Sequence, residues 1–343
     1  MESCQQQNQN EIPWQQIIPK YQQPKKHASV WQLINSFVPY VIFWYLAYRS
    51  LAVSYWLTLV PAILAAGFLV RIFIIQHDCG HGSFFKSKKA SSFWGFIAGV
   101  LTFTPYHQWR FDHAVHHATC GDLDRRGVGD VWTLTVKEYL GSSRWKRLAY
   151  RIYRNPLVMF TVGSMYLFLI SNRLPTRGAA RRERNSVYWT NLAILAVIVA
   201  LSLSIGFANY ILVQAPIIVV AMVAGVWLFY MQHQYESVYW ERHENWSYTR
   251  AALQGSSFYK LPKVLQWFTG NIGFHHIHHL GPRIPNYQLE KCHKENPIFQ
   301  RCQTITLSSS LKSFRLRLWD EDNHKLVGYR FLKNFKNKQV FAH

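Results

Sequence analysis

Long apolar runs, rather than short alternating ones, dominate this chain. A helix needs about 20 predominantly apolar residues to cross a bilayer. Four segments meet that length: 31–48 (WQLINSFVPYVIFWYLAY), 55–75 (YWLTLVPAILAAGFLVRIFII), 187–206 (VYWTNLAILAVIVALSLSIG) and 210–231 (YILVQAPIIVVAMVAGVWLFYM). Two shorter runs, 92–104 and 157–171, suit interfacial or re-entrant helices better than full spans. The pattern therefore predicts two membrane hairpins divided by polar chain.

Loop charge orients the hairpins. Arg173, Arg177, Arg181, Arg182 and Arg184 crowd the approach to the third span, while 207–209, after it, carries no charge. Basic loops are retained in the cytoplasm, and Lys20, Lys25 and Lys26 place the N-terminus on the same side. The expected organisation is a flexible cytoplasmic tail over 1–30 and a first transmembrane hairpin over 31–76. A cytoplasmic cap with interfacial helices follows over 77–186, then a second hairpin over 187–231 and further cap over 232–343. The glutamine-rich 1–30 lacks a continuous apolar core, so no cleavable signal is expected there.

Composition agrees with lipid. Charged residues make up 16 % of the 343, against about 25 % in an ordinary soluble domain. A net charge of +21 would suit nucleic acid, anionic lipid or an acidic protein. No zinc finger, RNA-binding signature or base-reading helix is present, which argues against nucleic acid. The five cysteines, Cys4, Cys79, Cys120, Cys292 and Cys302, form neither a disulfide framework nor a CxxC site, as fits a reducing compartment.

The chemistry lies in three histidine clusters: HDCGH at 77–81, HAVHH at 113–117 and HHIHH at 275–279. His77 and His81 share a helix face, as do His113, His116 and His117. The same spacing recurs as His275, His278 and His279, which leaves His276 as a spacer or as a residue standing behind the ligands. His233 stands where the fourth span ends and adds a ninth candidate. His107 is off the helical face, and His27, His243, His293, His324 and His343 are isolated. Imidazoles aimed from rigid helices are a way to build a metal site. Eight or nine exceed the demand of one ion, so two ions with four or five nitrogens each are expected. Imidazole suits iron, copper, zinc and nickel alike. A site beside apolar spans suggests a lipid-soluble substrate and oxidative chemistry with O2.

The stretches HDCGHGSFF, TPYHQWRFDHAVHHATCGDLDRRGVGDVWTLTVKEY and GNIGFHHIHHLGPRIPNY resemble the membrane fatty acid desaturases, especially the acyl-lipid Δ12 (omega-6) branch. The likeness runs over about residues 35–335. Stearoyl desaturases carry four residues inside the first box, whereas three stand here. The resemblance implies an all-α integral membrane protein with four transmembrane helices and a cytoplasmic helical cap enclosing two iron ions (Fe2+). It implies His77, His81, His113, His116, His117, His275, His278 and His279 as ligands, with His233 as a further one. It also implies O2 as co-substrate, a fatty acyl lipid (oleoyl lipid at Δ12) as substrate, and a cis double bond and water as products. The chain has no HPGG segment, no GxGxxG fingerprint and no cysteine cluster, so electrons would come from a separate carrier such as ferredoxin or cytochrome b5. The basic cap would steer such an acidic carrier.

Neutral ligands call for carboxylates that orient them, and Asp78, Asp112, Asp122, Asp124 and Asp130 are candidates. Asn271 is expected to cap the helix of the third box or to hold a water. Arg71, Pro61 and Pro216 inside the spans would shape a substrate tunnel, or snorkel and kink in the ordinary way. FRLRLWDEDNHKLVGY reads as a short polar hairpin. Rival readings are a di-iron hydroxylase of alkane, sterol or carotenoid, a membrane zinc hydrolase, and a metal transporter. The last is disfavoured because the four spans contain no histidine.

Overall fold

The computed structural model describes residues 14–333, which are mostly helical. A short helix α1 (Trp14–Ile17) and a 3-10 turn (Ile18–Tyr21) precede α2 (Lys26–Ser50), and a tight turn leads into α3 (Tyr55–His81). Helices α4 (Lys88–Leu101), α5 (Tyr106–Thr119), α6 (Val136–Gly141) and α7 (Arg144–Tyr153) follow. A π-helical turn (Val158–Gly163) runs into α8 (Ser164–Leu169). The second hairpin is α9 (Arg181–Ile205) and α10 (Phe207–His233), joined at Gly206 with φ 87°. Beyond it come α11 (Tyr248–Gln254), α12 (Lys263–Phe268), α13 (His275–Leu280) and α14 (Asn286–Glu295).

The helices α2, α3, α9 and α10 are each long and apolar enough to cross a membrane. Each contains an expected span to within one residue, and the two short apolar runs form α4 and the π-turn with α8. At about 1.5 Å per residue, α3 is roughly 40 Å long. It is the central rod, packed by α2, α4 and α10. Ala62, Ala65 and Ala66 are fully buried on it, beside Val213, Ile217 and Met222 of α10. Small residues let membrane helices approach closely where hydrophobic drive is weak. Trp56, Val60, Leu192, Leu195 and Leu203 face outward, as lipid contact requires.

The helix that contains the second span runs on without a break through the first histidine box and ends at Gly82 in the left-handed region (φ 67°). One expectation is corrected. The tail is not flexible over 14–30, because burial of two apolar side chains fixes it. Ile18 packs against Gly281 and Tyr21 donates to Glu295 Oε2 at 2.8 Å. Residues 1–13 lie outside the described residues, as do Cys4 and His343. The other four cysteines are free thiols.

The cap also contains short strands. β1 (Leu134–Thr135) pairs in parallel with β4 (Leu318–Asp320), which forms an antiparallel hairpin with β5 (Lys325–Val327). β2 (Phe258–Lys260) and β3 (Thr304–Thr306) form a second parallel pair. The expected C-terminal hairpin is therefore present, but it is not polar throughout, since Trp319 and Leu326 are buried in it.

Candidate metal centre

Two helices that leave the apolar bundle carry histidines in their last turns, His77 and His81 on α3 and His233 on α10. Helices α5 and α13 bring the rest against them. The rings sort into two clusters. His77, His81, His113, His117 and His278 converge with one nitrogen each inside a 4.8 Å sphere of mutual distances. His116, His233 and His279 form the second group. His275 joins it, with Nε2 2.9 Å from His233 Nε2 and 3.2 Å from His279 Nε2. All nine sequence candidates thus meet. His113, His116 and His117 do not act as one trio, however. The i,i+4 pair His113 and His117 enters the first cluster and His116 the second. The third box splits the opposite way, with His275 and His279 in the second cluster and His278 in the first.

Carboxylates fix the tautomers at two points. His77 Nδ1 donates to Asp78 Oδ1 at 3.0 Å, and His116 Nδ1 donates to Asp130 Oδ1 at 2.7 Å. His233 Nδ1 faces the Gly255 carbonyl at 3.2 Å. Each of these rings therefore presents an Nε2 lone pair to its cluster. His116 Nε2 faces His233 Nε2 at 3.3 Å, and two lone pairs at that range repel unless a cation lies between them. In the first cluster His77 and His278, His278 and His117, and His117 and His113 face each other through Nε2 at 3.0, 3.0 and 3.1 Å. Imidazole nitrogens bound to one transition metal at about 2.0–2.1 Å stand roughly 2.9–3.4 Å apart. The donor set fits metal ions. Burial, reinforced by neighbouring imidazoles, holds His113, His117, His275, His278 and His279 well below the usual histidine value. They are neutral at pH 7, as ligands must be.

The remaining candidates fall elsewhere. His276 turns away and meets the Phe299 carbonyl at 2.9 Å, so it is the spacer expected of it. Asp122 binds Arg125 and His243, and Asp124 binds Arg242, so both clamp loops rather than orient rings. Asp112 meets neither cluster through a hydrogen bond; burial, with help from Glu183, pushes its carboxyl up to about 6. Asn271 does not cap α13. It sits at φ 58° in a sharp turn, accepts from Gln266 at 2.7 Å and donates to the Asn286 carbonyl at 3.2 Å. Gly270, at φ 52°, completes the turn where a Cβ would strike Ile74 at 2.8 Å. Arg71 stacks on Trp267 at 4.0 Å and donates to its carbonyl, which fastens α12 to α3.

Sequence reasoning missed the supports behind the rings. Asp78 Oδ2 accepts from the Asn286 backbone N–H at 2.7 Å and from its side chain at 2.8 Å, and Asn286 exchanges two bonds with Gln32 of α2. Arg154 is fully buried. It donates to Gln234 at 2.8 Å, Tyr230 at 3.3 Å, the Leu316 carbonyl at 3.2 Å and Thr133 at 3.3 Å. It so ties the strand after Asp130 to the helix end that carries His233. No spacing rule in one sequence singles out Arg154. Asn286 stands seven residues beyond the last box histidine, with only a preceding proline to mark a helix start.

Comparison with known proteins gives the same direction. A family model described as fatty acid desaturase matches residues 54–304. The chain is 53 % identical over 317 residues to a fatty acid desaturase of Bacillus subtilis, covering 92 % of this chain and 90 % of that one. It is 28 % identical over 240 residues to the sn-1 oleoyl-lipid 12-desaturase of Synechocystis sp., covering 66 % of each chain. It is 27 % identical over 237 residues to the sn-1 acyl-lipid omega-3 desaturase (ferredoxin) of the same organism, covering 64 % of this chain and 62 % of that one.

Proposed function

We propose that this chain, which belongs to the fatty acid desaturase family, is an O2-dependent acyl-lipid desaturase with two irons at its histidine clusters. The observation that carries the reading is the convergence of nine buried or half-buried imidazoles into two clusters at one end of four apolar helices. His77, His81, His113, His117 and His278 would hold one iron, and His116, His233, His275 and His279 the other. Irons bound there would supply the redox capacity to activate O2 with two external electrons.

The chain's own groups do the rest. Asp78 and Asp130 keep Nδ1 of His77 and His116 protonated, so that the opposite nitrogen stays free to bind. The buried setting keeps water away from the reacting carbons. The balance is a –CH2–CH2– unit, O2, two electrons and two protons giving a cis –CH=CH– and two waters. By the arginine loop before α9 the clusters lie on the cytoplasmic side. The surplus of basic residues attracts an acidic carrier there, ferredoxin or cytochrome b5; one Synechocystis relative names ferredoxin. Oleoyl lipid, desaturated at carbon 12, is the substrate this reading names, after the likeness of the histidine boxes and the Synechocystis relative named for that position.

Expression in a host rich in oleoyl lipid, with a working electron donor, tests the reading by gas chromatography and mass spectrometry of fatty acid derivatives. Linoleate is the expected new product. A double bond at another carbon overturns the position and leaves desaturation standing. A hydroxy acid instead of an alkene favours the hydroxylase. An unchanged profile, where a known desaturase works in the same host, overturns the proposal.

A further inference from the structure

Helix α7, RWKRLAYRIY, leaves most of its apolar side chains outside the core. Its only buried residue is Tyr150, whose hydroxyl donates to the Arg317 carbonyl. At about 100° per residue, Trp145, Leu148 and Ile152 fall on a stripe roughly opposite Tyr150. All three are exposed, Trp145 to 67 %. Lys146 flanks this stripe on one side and Arg144 and Arg151 on the other, and the helix has no acidic residue. An apolar stripe on an otherwise cationic helix is the pattern of a helix lying in a membrane surface, with its charges reaching up to phosphates.

Its position agrees. From α7 the chain passes into the π-turn, where Phe160 packs on Trp227 at 5.3 Å and Tyr230 at 5.4 Å. Those residues lie in the last two turns of α10, at the end that carries His233. Leu157, Val162, Tyr166 and Ile170, which follow α7 in the chain, are exposed as well.

We propose that α7 is an in-plane anchor on the histidine side of the membrane, with Trp145, Leu148 and Ile152 among acyl chains and its cations on anionic phospholipid headgroups. Lipid is favoured over a soluble acidic protein because exposed apolar side chains run on in the chain from α7 through the π-turn and α8, which pack against the apolar helix α10. The anchor stands whether or not the proposed acyl chemistry does. It bears on the metal centre because Tyr150, at its inner face, accepts from the Leu134 N–H at 3.1 Å, in the strap that follows Asp130.

The test uses the full chain with Cys4 and Cys302 changed to serine, reconstituted in nanodiscs of phosphatidylcholine with or without phosphatidylglycerol. Spin labels are placed at Leu148→Cys, Ile152→Cys and Lys146→Cys. Labels at 148 and 152 are expected to collide several-fold more with oxygen than with a water-soluble nickel complex, and the label at 146 the reverse. Phosphatidylglycerol should sharpen the contrast, and Arg144→Gln with Lys146→Gln, read from label 148, should abolish that sharpening. If labels 148 and 152 are as open to nickel as 146 in both discs, the anchor is overturned. If they become protected only when ferredoxin is added, the surface belongs to a protein partner and the lipid assignment falls. Using two apolar label sites guards against misfolding at one.

Discussion

The two histidine clusters have similar donors but different foundations. The five-histidine cluster stands on α3, whose last turn supplies His77 and His81 without a break from the apolar bundle. The carboxylate behind it, Asp78, is the next residue on the same helix, almost fully buried and held by Asn286 and Gln32. The four-histidine cluster takes His233 from the final residue of α10 and its carboxylate, Asp130, from a loop. Its stiffness is borrowed from Arg154, a buried cation that finds oxygens instead of a counter-ion. Helices carry the rings of both clusters, but the carboxylate of the first belongs to one of those helices, whereas that of the second reaches in from a loop that side-chain bonds hold in place. The second should therefore be the more easily lost.

The largest effect comes from removing a ring from each. His278→Ala and His279→Ala should each abolish product formation. The first should empty the five-histidine cluster and the second the four-histidine cluster, so bound iron falls from about two to about one per chain by elemental analysis. If both variants lose all metal, the clusters are not independent and the contrast breaks. Next, Arg154→Met should cost about 3 kcal/mol of stability, since several buried acceptors lose their donor at once, and metal should leave the four-histidine cluster first on titration with a chelator. The carboxylates sharpen the contrast further. Asp78→Asn should lower stability by about 2 kcal/mol, because charge-assisted bonds to His77 and Asn286 weaken together. Asp130→Asn should leave the melting temperature nearly unchanged and weaken one metal by about 10–100-fold. Smallest of all, His293→Ala should leave iron content and activity unchanged, since its ring packs on Phe258 and Phe274 outside both clusters.

Much of this was legible in the chain because the signals are local. An apolar run of membrane length has few alternatives, so each expected span falls on one of the four long helices, the third overrunning its helix by Gly206 alone. The i,i+4 spacing of His113 with His117 and of His275 with His279 is likewise a property of one helix. The exchange of His116 and His278 between clusters depends on how α5 and α13 cross, which spacing within either helix does not encode. Arg154 and Asn286 were invisible for the same reason, since each matters through partners 21 to 254 residues away. Asn271 was misassigned because a cap and a left-handed turn ask for the same residue types. The tail over 14–30 was misjudged because two buried apolar residues, Ile18 and Tyr21, outweigh a glutamine-rich composition.

The unbroken course of α3 from the far end of the bundle to His81 has a mechanical meaning. A sliding rod moves every ring on it together, and one residue of axial travel is about 1.5 Å. That is half the 3.0 Å between the facing nitrogens of His77 and His278. Packing against α2, α4 and α10 sets where such a rod rests, so a substitution deep in the bundle is felt at those two nitrogens.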